Sequence, residues 1–104
     1  MSFDQYHEPP EELSDDVRTF ARMILSLTEE AEAIDWYEQR MHVEKNKDAK
    51  AIMENAQQEE FKHFAMDLEF LIRRKPTWKK VLQGVLFQSG DIVKNAEKAE
   101  KSAE

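Results

Sequence analysis

A chain of 104 residues amounts to one domain at most. Apolar content of 40% and charged content of 36%, with two Gly and three Pro, point to a helical, soluble protein; no run is long and apolar enough to cross a membrane, and no signal-peptide start is present. A net charge of −7 argues against nucleic acid as a partner, and the lack of cysteine excludes disulfides, zinc ribbons and rubredoxin-type iron sites while being compatible with the cytoplasm.

Residues 1–13 carry Pro9-Pro10 and little pattern, so they read as an extended N-terminal arm. Ser14 is a suitable N-cap, and Asp15 and Asp16 suit the positive end of a helix dipole. The first helix is predicted from about residue 15 to about 43, with "EKNKD" (44–48) as a polar turn. The second is predicted to run to about Arg74, where Lys75-Pro76 stops it, because the residue before proline disfavours the helical region. "TWKKVLQGVLF" (77–87) reads as a short third helix with Trp78, Val81, Leu82 and Leu86 on its apolar side, weakened by Gly84. Residues 14–90 thus form a helical hairpin with a short third helix. Residues 91–104 form a polar C-terminal tail, helical or disordered, with no core to join.

Both long helices misplace ionisable groups. The first has an apolar stripe of Phe20, Met23, Ile24, Leu27, Ala31, Ile34 and Met41, and Glu30 lies inside it. Tyr37, seven residues on, shares that face. The second has a stripe of Ile52, Met53, Ala56, Met66, Phe70 and Leu71, interrupted by Glu60, His63 and Asp67. Glu60 and His63 are separated by roughly 60° around the helix, so the E-x-x-H pair points one way.

Burying such groups costs several kcal/mol per ion unless something compensates. Pairing with one another or with Arg/Lys, exposure at a packing gap, and cation binding are the three routes. An isolated E-x-x-H in a charged helix is ordinarily a solvated face. Here no Arg or Lys lies on either stripe beside these groups, and Glu30 repeats the anomaly on the other helix, which brings cation binding level with the other routes.

Di-iron carboxylate proteins of the ferritin type take one Glu from each of two helices and E-x-x-H from each of two others. This chain has one Glu and one E-x-x-H on two long helices, half of that set. A twofold axis supplies the rest, so a dimer is expected to build a four-helix bundle. Carboxylates with one imidazole per metal suit iron or manganese.

"EEAEAIDWYEQR" (29–40), followed by "EEFKHFAMDLEFLIRR" (59–74) and preceded by "HEPPEELS" (7–14), resembles the encapsulated ferritins over roughly residues 7–90. The resemblance implies an all-α fold of two long antiparallel helices plus a short C-terminal helix, half a ferritin. It implies a dimer that forms a di-iron ferroxidase centre and assembles into a ring-shaped decamer. It also implies oxidation of Fe(II) for iron storage inside an encapsulin shell, a cytoplasmic nanocompartment.

Carried over by position, the resemblance makes Glu30, Glu60 and His63 the iron ligands, with Trp36 and Tyr37 as aromatic residues near the centre. Tyr37 is expected to be buried, its hydroxyl bonded to a ligand carboxylate. Glu29 and Glu32 match acidic residues that hold metal on the approach; both lie off the Glu30 stripe, toward a second side that contains Leu25 and Trp36. Phe61, Leu68 and Ile72 give the second helix a second apolar side as well, and two such sides imply two protein contacts.

Two positions depart from the family pattern. Lys62 stands where an acidic residue often precedes the histidine, and the chain ends in "KAEKSAE" without the short hydrophobic targeting tail, so either the chain is shortened there or targeting differs. Asp67 either accepts a hydrogen bond from the free ring nitrogen of His63 or is a partly exposed helix residue. A reading of a different class is a helical dimerisation or adaptor module without chemistry.

Overall fold

The structure, a computed structural model, describes residues 5–104; the first four residues of the expected arm lie outside it. Among the described residues all regular structure is helical: a 3-10 turn at Pro10–Glu12, then α1 (Asp15–Val43), α2 (Lys47–Ile72), α3 (Pro76–Val85) and α4 (Ile92–Ala103). Among the described residues no helix is long and apolar enough to cross a membrane. The chain forms two compact units, one ending at Glu69 and the other spanning Phe70–Glu104.

In the first unit the arm is not extended throughout. Pro10 starts a turn in which the Glu12 and Leu13 amides donate to the Pro9 and Pro10 carbonyls at 2.9 and 3.1 Å. The ring presets the helical φ, and the amide it lacks is one that a first turn leaves unused. Arg18 ties the turn to α1 by donating Nε–H to the Pro10 carbonyl at 2.9 Å.

α1 begins where expected. The Ser14 hydroxyl accepts from the Val17 amide at 3.2 Å, with Asp15 and Asp16 in the first turn and Arg40 and His42 in the last. The connection to α2 is shorter than the predicted turn because Asn46 caps the next helix, its Oδ1 accepting from the Ala49 amide at 2.9 Å. The helices run antiparallel, as Gln57 demonstrates. Its Nε2 donates to the Ile34 carbonyl at 3.1 Å and to Glu38 Oε1 at 3.0 Å, while Glu30, one to two turns earlier, faces Glu60, His63 and Asp67 further along α2.

This hairpin has no apolar core of its own. α1 buries none of its 29 residues, and among the described residues of the unit Gln57 alone is buried. The stripe residues Phe20, Met23, Ile24, Leu27 and Ile34 are half-buried, whereas Ile52 and Met66 on the α2 stripe and Phe61 on its other side are exposed.

The second unit begins within the last turn of α2, which ends at Ile72, two residues short of Arg74. The Arg74 and Lys75 amides turn back to the Leu71 and Ile72 carbonyls at 3.1 and 3.0 Å. Lys75, just before Pro76, has φ −133° and ψ 82°, outside the helical region as the proline demands.

The tail is helical, and it does join a core. Ala99 of α4 is buried, and Ala96 and Ala103 flank it on the same face at helical spacing. Alanines at that spacing add little hydropathy, which is why the tail reads as patternless. Gly84 gives α4 its place: a Cβ there would lie 2.4 Å from the Ala99 Cβ. The glycine expected to weaken α3 is what lets the two helices approach. Between them Phe87 (φ 63°) and Gly90 (φ 95°) take left-handed conformations, and the Asp91 carboxylate caps α4 by accepting from the Lys94 amide at 2.8 Å.

Candidate metal centre

Helical period brings Glu60, His63 and Asp67 onto one face of α2, and the antiparallel hairpin sets Glu30 of α1 against them. Glu60 and His63 meet directly, with Oε1 and Nδ1 2.7 Å apart and both side chains partly exposed. The E-x-x-H pair is thus joined by a direct hydrogen bond, which places both groups on the side of α2 that faces Glu30.

Glu30 faces carboxylates. Burial pushes its carboxyl up from 4.5 to about 7, helped by hydrogen-bonding contact with Asp67, by the charge of Asp67 and then of Glu60; only His63 acts the other way. No lysine or arginine is among the charges that act on it. Glu30 Oε2 and Asp67 Oδ2 are both buried with no hydrogen-bond donor. Two buried carboxylate oxygens without donors require a shared proton or a cation.

Among the described residues, no three His, Asp or Glu side chains converge closely enough within one chain to enclose an ion. Glu60 and His63 close on each other, and Glu30 closes on Asp67. Asp67 interacts with Glu30 across the hairpin, while the Nδ1 of His63 meets Glu60.

The other candidates fall apart from this cluster. Glu29 is exposed and Glu32 half-buried, as their angular offset from Glu30 on α1 requires. Trp36 is 51% exposed. Tyr37 is half-buried under the Arg40 guanidinium, 5.3 Å from its ring centroid, but among the described residues no carboxylate bonds its hydroxyl. Lys62 turns outward to Glu59 at 2.8 Å and holds that carboxyl below its ordinary range. Gln57 escaped the sequence reading, since a lone glutamine on a polar helix carries no signal that it will clamp a neighbouring backbone.

An all-helical chain whose antiparallel hairpin opposes Glu30 to an E-x-x-H pair has a ferritin-like helical fold. The family model described as EncFtn-like matches residues 5–89. The chain is 41% identical over 101 residues to a ferritin-like protein of Thermotoga maritima, covering 97% of this chain and 89% of that one. It is 38% identical over 92 residues to an encapsulated ferritin-like protein of Rhodospirillum rubrum, covering 88% of this chain and 66% of that relative. A crystal structure of a Nitrosomonas europaea protein matches with a TM-score of 0.82 at 45% identity, covering 86% of this chain and 98% of that one. The chain belongs to the encapsulated ferritin-like family.

Proposed function

We propose that this protein is a ferroxidase that oxidises Fe(II) to Fe(III) at a di-iron centre shared across a dimer interface. The observation that carries the reading is the buried, donor-free contact between Glu30 and Asp67 beside the Glu60–His63 pair. A cation satisfies those oxygens, and one chain supplies half the ligands that two iron ions need. A second copy related by a twofold axis completes the set and covers apolar side chains left exposed on the hairpin, among them Ile52 and Met66.

In this reading two Fe(II) ions bind as substrate on the axis, with Glu30 and Glu60 of both chains as ligands and one His63 for each iron. Anionic carboxylates stabilise Fe(III) relative to Fe(II) and so favour electron loss. Each iron gives up one electron; dioxygen accepts both, takes two protons and leaves as hydrogen peroxide. Tyr37, which bonds no ligand carboxylate among the described residues of its own chain, takes part only in the assembled dimer, while Glu29 and Glu32 form an acidic approach for the cations. The dimers assemble into a ring-shaped decamer, and the Fe(III) is stored within an encapsulin shell in the cytoplasm. That last part draws on the encapsulated ferritin-like relative of Rhodospirillum rubrum.

A helical association module without chemistry accounts for the exposed apolar side chains but not for carboxylates buried against each other. Anaerobic Fe(II) loading followed by oxygen, read by stopped-flow absorbance and by native mass measurement, tests the proposal. Rapid oxidation by an even-numbered oligomer with two irons per pair of chains is expected. Oxidation by a stable monomer at the same rate overturns the shared centre, and no oxidation by any species overturns the activity.

A further inference from the structure

We infer that Asp67 is a third carboxylate ligand of each half-centre, touching the metal beside Glu30 and Glu60. The inference rests on the reading of this cluster as a cation centre and adds a residue to it. Asp67 lies seven residues after Glu60 and four after His63, within roughly 20° and 40° of them around α2. Across the hairpin its carboxyl contacts Glu30, and the Oδ2 is buried without a donor, as is the Glu30 Oε2.

A merely structural acid in that position would have an amide, hydroxyl, lysine or arginine to bond. None is present for the Oδ2, and a second carboxylate against Glu30 costs rather than stabilises unless a proton or a cation lies between them; the raised Glu30 carboxyl holds the proton in the metal-free protein, and a metal ion takes its place when bound. Charge gives the position a purpose. Glu30, Glu60 and Asp67 place three negative charges on each chain's share of the centre, and two shares balance two trivalent irons. Without Asp67 the carboxylates match two divalent ions and leave the oxidised pair under-neutralised. Asp67 therefore favours the trivalent state and makes retention of the product stronger.

Co2+ is a suitable probe because it stays divalent and reports its donors through d–d absorption. The full-length protein and the variants Asp67→Asn, Asp67→Ser and Glu30→Gln are titrated with Co2+ after chelator treatment, and thermal unfolding is followed with and without the metal. Asp67→Asn keeps the shape of the side chain, so it is expected to weaken Co2+ binding by about 100-fold or more, at or beyond the upper end of the roughly 10–100-fold that an outer partner of a metal ligand is worth, and to change the d–d spectrum. The metal-free Asp67→Asn protein should melt no lower than the parent, because a carboxylate facing Glu30 has been removed, while the rise in melting temperature produced by Co2+ shrinks. Asp67→Ser should show the same loss of binding if the Asn variant misfolds. Co2+ binding that Glu30→Gln abolishes but both Asp67 variants leave unchanged in affinity and spectrum overturns the role of Asp67 alone. A parent protein that binds no Co2+ overturns the cation centre and Asp67 with it.

Discussion

The hairpin of α1 and α2 and the unit formed by α3 and α4 solve the packing problem in opposite ways. The second unit is finished within the chain: Leu71, Ile72 and Ala99 are buried, Gly84 removes the one atom that would hold the helices apart, and Asp91 caps α4. The hairpin buries a glutamine and sets carboxylates against each other, while Ile52, Phe61 and Met66 stay exposed. Apolar area left in water forgoes about 25 cal/mol per Å², and an uncompensated buried carboxylate costs several kcal/mol. A stable fold tolerates both in one place when another molecule and an ion complete it. The contrast supports the reading that the centre lies in the hairpin and that the second unit is scaffold.

The sharpest way to break this contrast is to remove the ligands. Glu30→Ala, Glu60→Ala or His63→Ala should each lower Fe(II) oxidation by roughly 100-fold or more, since outer partners of metal ligands alone are worth about 10–100-fold. Helix content by circular dichroism should stay at the parent level. A Glu30→Ala protein that oxidises iron at the parent rate with equal metal loading removes Glu30 from the centre. Dilution tests the unfinished character of the hairpin directly. Specific activity should collapse below the concentration at which native mass measurement first detects monomer, and Fe(II) should shift that threshold downward, because a ligand bound only by the associated state stabilises it.

The Glu30 carboxyl provides a pH signature confined to the hairpin. Its value of about 7 in the folded chain lies above the ordinary 4.5. Between those values the folded state holds a proton that the unfolded state has released, so this group's contribution to stability falls as pH rises through that window. The metal-free protein should melt higher at pH 5 than at pH 7.5, and Glu30→Gln should flatten that slope. An equal slope in the variant assigns the effect elsewhere.

Gly84→Ala addresses the finished unit. Overpacking costs about 1–3 kcal/mol against a gain of about 1 kcal/mol in helix propensity, so a net loss on the order of 1 kcal/mol is expected, read as faster amide exchange in α3 and α4 with the iron oxidation rate unchanged. The smallest effect is assigned to Glu32→Ala. It should slow iron arrival by a few-fold at low salt and much less at 0.1 M, where screening limits the reach of a charge to about 10 Å, with the centre still loaded. Loss of metal from the centre itself contradicts that division between approach and ligand, and unchanged kinetics at every ionic strength makes Glu32 an ordinary solvated carboxylate.

Much of this molecule is legible in residue order. The Ser14 cap, the stop before Pro76, the two long amphipathic helices and the shared face of Glu60, His63 and Asp67 all follow from local rules with periods of a few residues, and local rules act before any long-range contact forms. The Glu30 anomaly belongs with them, since an acid inside an apolar stripe is visible without coordinates. Tertiary structure decided what depended on the opposite helix. Only the hairpin register could show that Asp67 meets Glu30, and that Gln57 reaches the Ile34 carbonyl. Only the close approach of α3 and α4 could turn Gly84 from a weak point into a packing requirement and make a polar, alanine-bearing tail part of a core. In each case the sequence specifies which way a side chain points along its own helix, but the identity of the group it meets is set by the distance and register of a segment remote in the chain.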